Sequence, residues 1–277
     1  MKFGTITSRQ NQTVRQAAAL ARSGEKRREK RQFLCEGARL CQDAALSGLP
    51  VELCFVTEQA REKYGDYLRL VLSACREAYL VEEHVAQLLS STKASQGVFC
   101  VCGWPKGLLP ETAWKPEQAP LLVLENLQDP GNLGTVFRTA EALGVGQAVL
   151  LGECCDPLSP KVLRSSMGAV FRMKLRAERD SGKLCKLIKE QGFTLHAAVP
   201  DASARQVTEI DFHGGQHAVV IGNEGNGLTA ETIALCHDSV TIPMTGRAES
   251  LNASAAATIL LWEMRREAVE REGEAYG

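Results

Sequence analysis

Three short runs in the second half of this 277-residue chain pair ligand-binding groups with turn residues that would bring those groups together. Ile242-Pro243-Met244-Thr245-Gly246 leads through Arg247 and Glu249 into Ser250-Leu251-Asn252, and the small apolar stretch from Ala253 to Leu261 reads as a closely packing helix. Pro243 and Gly246 bend and stiffen the approach. Ser250 and Asn252 put short polar side chains at a helix entrance, where open backbone amides can bind polar groups of a ligand; taken alone, they are equally an ordinary N-cap. A second run, Glu125-Asn126-Leu127-Gln128-Asp129-Pro130-Gly131-Asn132-Leu133-Gly134, has turn chemistry from Asp129 to Asn132. Arg138 lies about one helical turn past Gly134, near enough to point into the same cleft, although an isolated arginine there reads as a surface residue. The third run, Gly222-Asn223-Glu224-Gly225-Asn226-Gly227, sets one carboxylate among three glycines, a composition suited to close backbone approach.

These runs need strands and helices to hold them. Apolar segments recur at Leu121-Leu124, Ala148-Leu151, Phe171-Leu175, Leu195-Val199, Ala218-Ile221 and Val240-Ile242, separated by helical stretches such as Lys183-Gln191 and Thr229-Cys236. Alternation of this kind predicts an α/β fold, a parallel sheet covered by helices on both faces. Four prolines between Pro105 and Pro120 predict a linker over 105–120. Ahead of it, strand-like Phe33-Cys35, Leu53-Val56 and Val98-Cys102 alternate with helices near Ala38-Leu46, Tyr64-Ala74 and Val85-Leu89, a second and smaller α/β unit over 1–104.

In order and content the three runs resemble the motifs of the SpoU (TrmH) family of SPOUT RNA methyltransferases, with Asn132 and Arg138 in the first, Glu224 in the second, and Ser250 and Asn252 in the third. The resemblance covers about Leu121 to Glu263. It implies a methyltransferase domain over 121–277 whose parallel sheet is threaded as a deep trefoil knot and binds S-adenosylmethionine. Transfer of the methyl group to a ribose 2′-hydroxyl of structured RNA follows, with 23S rRNA expected and tRNA the alternative. By the same resemblance Arg138 is the essential group beside the target ribose. Because arginine stays protonated, its expected role is to bind the adjacent phosphate and stabilise alkoxide charge rather than to abstract the proton. Asn132 would orient Arg138 or the ribose, Glu224 would fix the guanidinium, and Ser250 and Asn252 would complete the polar wall. Cofactor contacts are expected at the backbone of Gly222, Ile242 and Leu251, with Val199 and Asn223 beside them. Phe33-Gly37 and Ser91-Gly97 resemble the L30e-like substrate-binding domain that precedes many such catalytic domains. The run from Arg164 and Ser165 to Ala169 resembles a segment near the substrate cleft, though a helix end fits it equally. Family members bury the knot face against a twin, so a homodimer is expected, and the apolar side of Ala253 to Met264 offers a face; burial of that helix within one chain is the alternative.

Composition fits a cytoplasmic enzyme: 44% hydrophobic residues, no apolar run long enough to span a bilayer, and no basic-then-apolar leader at the N-terminus. Ten scattered cysteines read as reduced, buried thiols. With no Cys-x-x-Cys pair, and His213 and His217 lacking a second ligand pair, no metal is expected. Net charge is −1 overall, but residues 1–103 carry 15 Lys and Arg against 11 Asp and Glu, while 104–277 carry 17 against 22. Arg22, Lys26, Arg27, Arg28, Lys30 and Arg31 crowd into ten residues, a set able to contact phosphates, although Glu25 and Glu29 interleave as on a solvated helix. Two other classes compete. A catalytically idle RNA-binding module would not need the full polar set. A nicotinamide-dependent oxidoreductase would need a forward Gly-x-Gly-x-x-Gly after its first strand, where Asp-Pro-Gly-Asn-Leu-Gly stands instead.

Overall fold

The computed structural model describes residues 3–108, 120–212 and 215–274, so the expected linker lies largely outside the described residues, as does His213. The chain forms two compact units, one of Met1–Leu109 with Asp156–Arg172, the other of Pro110–Cys155 with Met173–Gly277.

The first unit runs β1 (Gly4–Ile6), α1 (Gln12–Arg22), α2 (Gly24–Lys30), β2 (Gln32–Glu36), α3 (Ala38–Leu46), β3 (Val51–Val56), α4 (Glu58–Lys63), α5 (Gly65–Ala74), β4 (Cys75–Val81), α6 (Glu83–Leu89) and β5 (Val98–Gly103). Its sheet has the order β1-β4-β3-β5-β2, with β5 antiparallel to both of its neighbours. Asn11 starts α1 by accepting the Thr13 and Val14 amides, and Val14, Ala17, Ala18 and Leu20 turn inward onto Leu34, Phe55 and Phe99. Strands β1 and β4 were not expected. β1 is three residues long, and β4 buries Cys75, Ala78 and Val81, a spacing of three that lacks the alternation by which strands are read.

The second unit begins with β6 (Leu121–Glu125), α7 (Pro130–Ala142) and β7 (Gln147–Leu151). The next element, α8 (Pro160–Ser165), belongs to the first unit. Then follow β8 (Lys174–Glu178), α9 (Ser181–Glu190), β9 (Phe193–Ala198), β10 (Arg205–Gln206), β11 (Gln216–Ile221), α10 (Ala230–Leu235), β12 (Asp238–Thr241) and α11 (Ala253–Glu274). All seven strands are parallel, in the order β10-β12-β9-β11-β6-β7-β8. Fully buried strands explain the apolar runs: every residue of β6 and of β7 is buried. The strand expected at Phe171-Leu175 starts later, at Lys174. Ala169–Phe171 form a 3-10 turn after Gly168, whose φ of 79° breaks the chain direction, and the Phe171 ring packs 5.7 Å from Phe33 in the first unit. Its apolar character therefore serves a different core from the one expected.

No helix among the described residues is long and apolar enough to cross a membrane. All ten cysteines are free thiols and seven are buried.

Three strands of the second unit carry a chain of titratable groups. His196, 3% exposed on β9, bonds Asp238 Oδ1 through Nδ1 at 2.6 Å and His217 Nδ1 through Nε2 at 2.9 Å, with the Phe212 ring edge-on to both imidazoles. Burial and the neighbouring His196 hold the His217 pKa below its ordinary 6.5. In the unfolded chain His217 takes up a proton near that ordinary value, so folded stability is present above pH 6.5 and is lost as pH falls below it. The thermal midpoint should drop between about pH 7.5 and pH 5.5, a window above ordinary carboxylate titration. In His217→Asn the drop should be smaller, with His237, also lowered by burial, keeping part of the slope. Equal slopes in the two proteins would remove His217 from the account.

Candidate active site

The three loops singled out by their residue types meet at the carboxyl ends of β6, β9, β11 and β12, where parallel sheets place their ligands. Two of them, the Gly222 loop and the loop after Ile242, enclose with the end of β9 a cavity of about 540 Å³ whose lining includes Val199, Gly222, Asn223, Ile242 and Leu251, together with Glu224 and Ser250. Gly222 accounts for its shape. A Cβ at this position would stand 2.2 Å from the Gly227 carbonyl carbon and 2.4 Å from Leu228 N, so the loop can double back on itself only over a glycine. Paired bonds between Asn223 and Gly227, both 3.0 Å, close the loop, and Asn223 Oδ1 accepts the Gly225 and Asn226 amides. The Asn223 side-chain nitrogen then donates to the Asn126 carbonyl at 2.8 Å, fastening the third run to the second.

Sequence reasoning missed Glu125, which is part of that fastening. It is 3% exposed, and its carboxylate accepts from Thr229 N, Thr229 Oγ1 and Thr232 Oγ1 at 2.8, 2.8 and 2.5 Å. A charge ending the apolar strand Leu121–Leu124 was the available signal, since a buried carboxylate must be saturated with donors.

At the rim the polar residues form a relay. Glu224 Oε1 accepts from Asn132 Nδ2 at 3.0 Å and from the Asp129 amide at 3.4 Å, and Asn132 Oδ1 accepts from Asn252 Nδ2 at 3.1 Å. Asn252 Oδ1 also accepts from Ser254 N and Ala255 N, so it caps α11 while its nitrogen joins the relay. Three of the five expected catalytic side chains are thus joined by hydrogen bonds, and Ser250 lines the cavity with Glu224.

Arg138 is placed differently. Glu224 was expected to hold its guanidinium, but the carboxylate is engaged by Asn132 and Asp129. Six residues separate Asn132 from Arg138 on α7, a rotation of about 600°, so the two side chains leave the helix about 120° apart. Arg138 is exposed, outside the cavity lining, and makes no hydrogen bond or ion pair among the described residues. Its neighbour Thr139 faces Thr258 of α11 at 3.4 Å.

The expected RNA-contacting residues also divide. Arg27 is 5% exposed; its Nε and Nη2 hold Asp156 Oδ2 at 2.8 and 2.7 Å, and Nη1 donates to the Leu20 carbonyl. Its charge is consumed inside the first unit, which corrects its expected role as a phosphate contact. Arg22, Lys26, Arg28, Lys30 and Arg31 are exposed, with Arg22 donating to the Leu88 carbonyl and Lys26 and Lys30 both beside Glu29. Ser165 Oγ donates back to the Lys161 carbonyl, whereas Arg164 reaches Ser91 Oγ at 2.5 Å. Burial raises the Cys154 thiol to about 11 and the Cys236 thiol to about 12, so neither supplies a thiolate at neutral pH. Among the described residues, no group of three or more His, Cys, Asp or Glu has the arrangement of a metal site.

Comparison with known proteins places this geometry. Residues 119–262, which contain all three loops, match the SpoU rRNA Methylase family, and residues 11–100 match the MRM3-like substrate binding domain. The uncharacterized tRNA/rRNA methyltransferase slr1673 of Synechocystis is 36% identical over 96% of this chain and 94% of its own length. The 23S rRNA (guanosine(2553)-2′-O)-methyltransferase RlmP of Bacillus subtilis is 29% identical over 94% of this chain and 98% of its own. Among solved structures, the AdoMet-bound rRNA methyltransferase from Sinorhizobium meliloti superposes with a TM-score of 0.83 at 27% identity, covering 96% of this chain and 98% of that one. A glycine-bound loop pinned under a Glu–Asn–Asn relay, within a sequence match that spans more than half of the chain, makes this protein a member of the SpoU rRNA methylase family.

Proposed function

We propose that the protein uses S-adenosylmethionine to methylate a ribose 2′-hydroxyl in RNA, with 23S rRNA rather than tRNA as substrate, in the cytoplasm. The observation that carries this reading is the cavity under the Gly222 loop, formed by backbone and apolar side chains with a polar rim. Its volume falls in the range of roughly 300–1,000 Å³ typical of small-molecule sites. Ile221, Leu228, Ile242, Leu251 and Leu260 supply apolar walls for an adenine ring, and the Gly222 backbone has no side chain to hold a ligand away. The residues present therefore suit an adenosyl cofactor. The rRNA preference rests on the whole-length similarity to a 23S rRNA methyltransferase.

Bound S-adenosylmethionine supplies an electrophilic methyl group. The chain's own residues have to hold the 2′-hydroxyl in line and take up charge as its proton leaves. The relay fixes Asn132 on both sides of its amide, so that group is pre-oriented rather than free to rotate. Arg138, exposed and carrying a planar donor fork, is suited to grip a phosphate next to the target ribose and to stabilise the developing alkoxide, with the proton passing to that phosphate or to water.

The exposed face beside Arg138 fits a homodimer. Ile259 and Trp262 are 36% and 40% exposed on α11, which packs along α7. A second copy of the chain covering this face would bury them and give Arg138 access to a cavity that it does not line in its own chain. We take the L30e-like fold for the first unit and the deep trefoil knot for the second as parts of the same reading.

Total RNA from a strain lacking the gene, incubated with the protein and methyl-labelled S-adenosylmethionine, should yield one labelled 2′-O-methylribonucleoside after digestion, mapping to 23S rRNA. Label on a base would overturn the reading. Arg138→Lys keeps a charge but loses the planar donor fork, so turnover should fall by roughly two orders of magnitude with cofactor affinity unchanged. Sedimentation should show a dimer, and Trp262→Glu a monomer without activity. Mixing Arg138→Ala with the cofactor-blocked Gly222→Val should restore activity that neither homodimer has; no restoration would confine Arg138 to its own chain.

A further inference from the structure

The first unit has a cavity of its own, about 680 Å³, that the methyl-transfer chemistry does not use. One wall is α3 and another is the segment from Arg164 to Arg172, so the excursion of the chain between β7 and β8 helps to build it. Glu36 organises the rim. Its carboxylate accepts from Ser90 Oγ, Ser91 N, Ser91 Oγ and Thr92 Oγ1, all within 2.9 Å. Burial would raise its pKa, yet these bonds hold it below the ordinary value, so the residue is a spent anion that shapes the loop. Asp43 is likewise occupied, because Arg172 Nη1 reaches its two oxygens at 2.8 and 3.0 Å. Arg39 and Arg164 are the other cations of the lining, the first exposed with no hydrogen bond or ion pair among the described residues, the second held by Ser91 Oγ and 3.8 Å from Glu36 Oε2 with its side chain still 36% exposed.

The same cavity is lined by apolar side chains that a folded core would normally hide. Leu46 is 61% exposed and Met167 43%. Met167 also holds a φ of 50°, left-handed backbone that disfavours any residue with a Cβ other than Asn or Asp. The strain follows from the neighbouring turn. Gly168, at φ 79°, has Asp43 Oδ2 where a Cβ would be, 1.8 Å away, and this contact fixes the backbone that carries Met167 outward. Gln96 Oε1 accepts the Ala38 amide, which leaves its side-chain nitrogen as a donor for the cavity, and Gln42 lines it as well.

We propose that this cavity binds one unstacked ribonucleotide of the RNA substrate, with Arg39 and Arg164 on its phosphate, Met167 and Leu46 against the base, and Gln42 and Gln96 toward the base edge. Cations next to an apolar platform and amide groups are what single-stranded RNA recognition requires, whereas a stacked, paired base offers neither a free face nor its Watson–Crick edge. The inference rests on the RNA reading above and adds a second contact point, distinct from the methyl-transfer cavity.

The test uses the full-length protein and a fluorescein-labelled RNA hairpin of mixed sequence with an eight-nucleotide loop, alongside a fully paired duplex of the same stem. Met167→Gly removes the platform and suits the left-handed backbone, so it should leave the thermal midpoint equal or higher. Arg39→Gln removes an exposed charge. The double variant should bind the hairpin about tenfold or more weakly, with duplex binding and S-adenosylhomocysteine affinity unchanged. Hairpin binding equal to the parent's would overturn the site while leaving the methyltransferase reading intact. A parent that neither binds nor methylates RNA would remove both. Competition by AMP at concentrations that do not affect the double variant would show that the cavity takes a nucleotide; saturation by AMP with no effect on hairpin binding would make it a free-nucleotide site and overturn its role in RNA binding.

Discussion

The contact on which the catalytic unit depends is one between backbones. At Gly222 the chain turns back so closely that the Gly227 carbonyl and the Leu228 amide occupy the space of a side chain. That approach puts Glu224 at the apex of a short closed loop, and from there its carboxylate reaches Asn132 in one neighbouring loop and, through it, Asn252 in the other. Three loops that are 92 and 120 residues apart in sequence are thereby ordered by two side-chain bonds. Below them the half-buried Asn223 and the buried Glu125 repeat the arrangement, and at Glu125, where the local dielectric is low, an unmade bond would cost about 1–3 kcal/mol. The cavity is a consequence of these constraints, which explains why bland residues such as Ile242 and Leu251 line it.

Much of this was legible in the sequence because glycine, proline and asparagine mark turns by their own conformational preferences, and parallel strands buried on both faces read as unbroken apolar runs. The six main strands of the second unit, five of them close to where they were read, follow from that alone. What could not be read depends on distant partners. Arg27 has the composition of a phosphate contact and became a buried ion pair, because Asp156 arrives from 129 residues away. Phe171 has the hydropathy of a strand residue and instead joins a second core through Phe33. Helical geometry decided the position of Arg138. Counted from Gly134 it shares a turn with the loop, but counted from Asn132 it points elsewhere.

The two units divide their charges accordingly. The first has exposed cations on α2, on α3 and in the 156–172 segment among others, while its acids Glu36 and Asp43 are engaged by hydroxyl, amide and guanidinium donors. The second confines its functional charges to Glu224 in the relay and Arg138 on an open helical face. A protein that must hold a flexible polyanion and a small cofactor at once has reason to place the two kinds of recognition on two compact units.

Calorimetric titration with S-adenosylhomocysteine, comparing Gly222→Ala with Gly225→Ala, tests the central claim most directly. The two substitutions are chemically identical and three residues apart, but a Cβ at position 222 collides with backbone at 2.2 Å whereas one at 225 meets only Asn223 Oδ1 at 3.5 Å. With both proteins folded by their melting curves, Gly225→Ala should bind like the parent and Gly222→Ala about a hundredfold or more weakly, about 2.7 kcal/mol. Equal affinity in the two variants would mean that the close backbone crossing at Gly222 does not form the cofactor site.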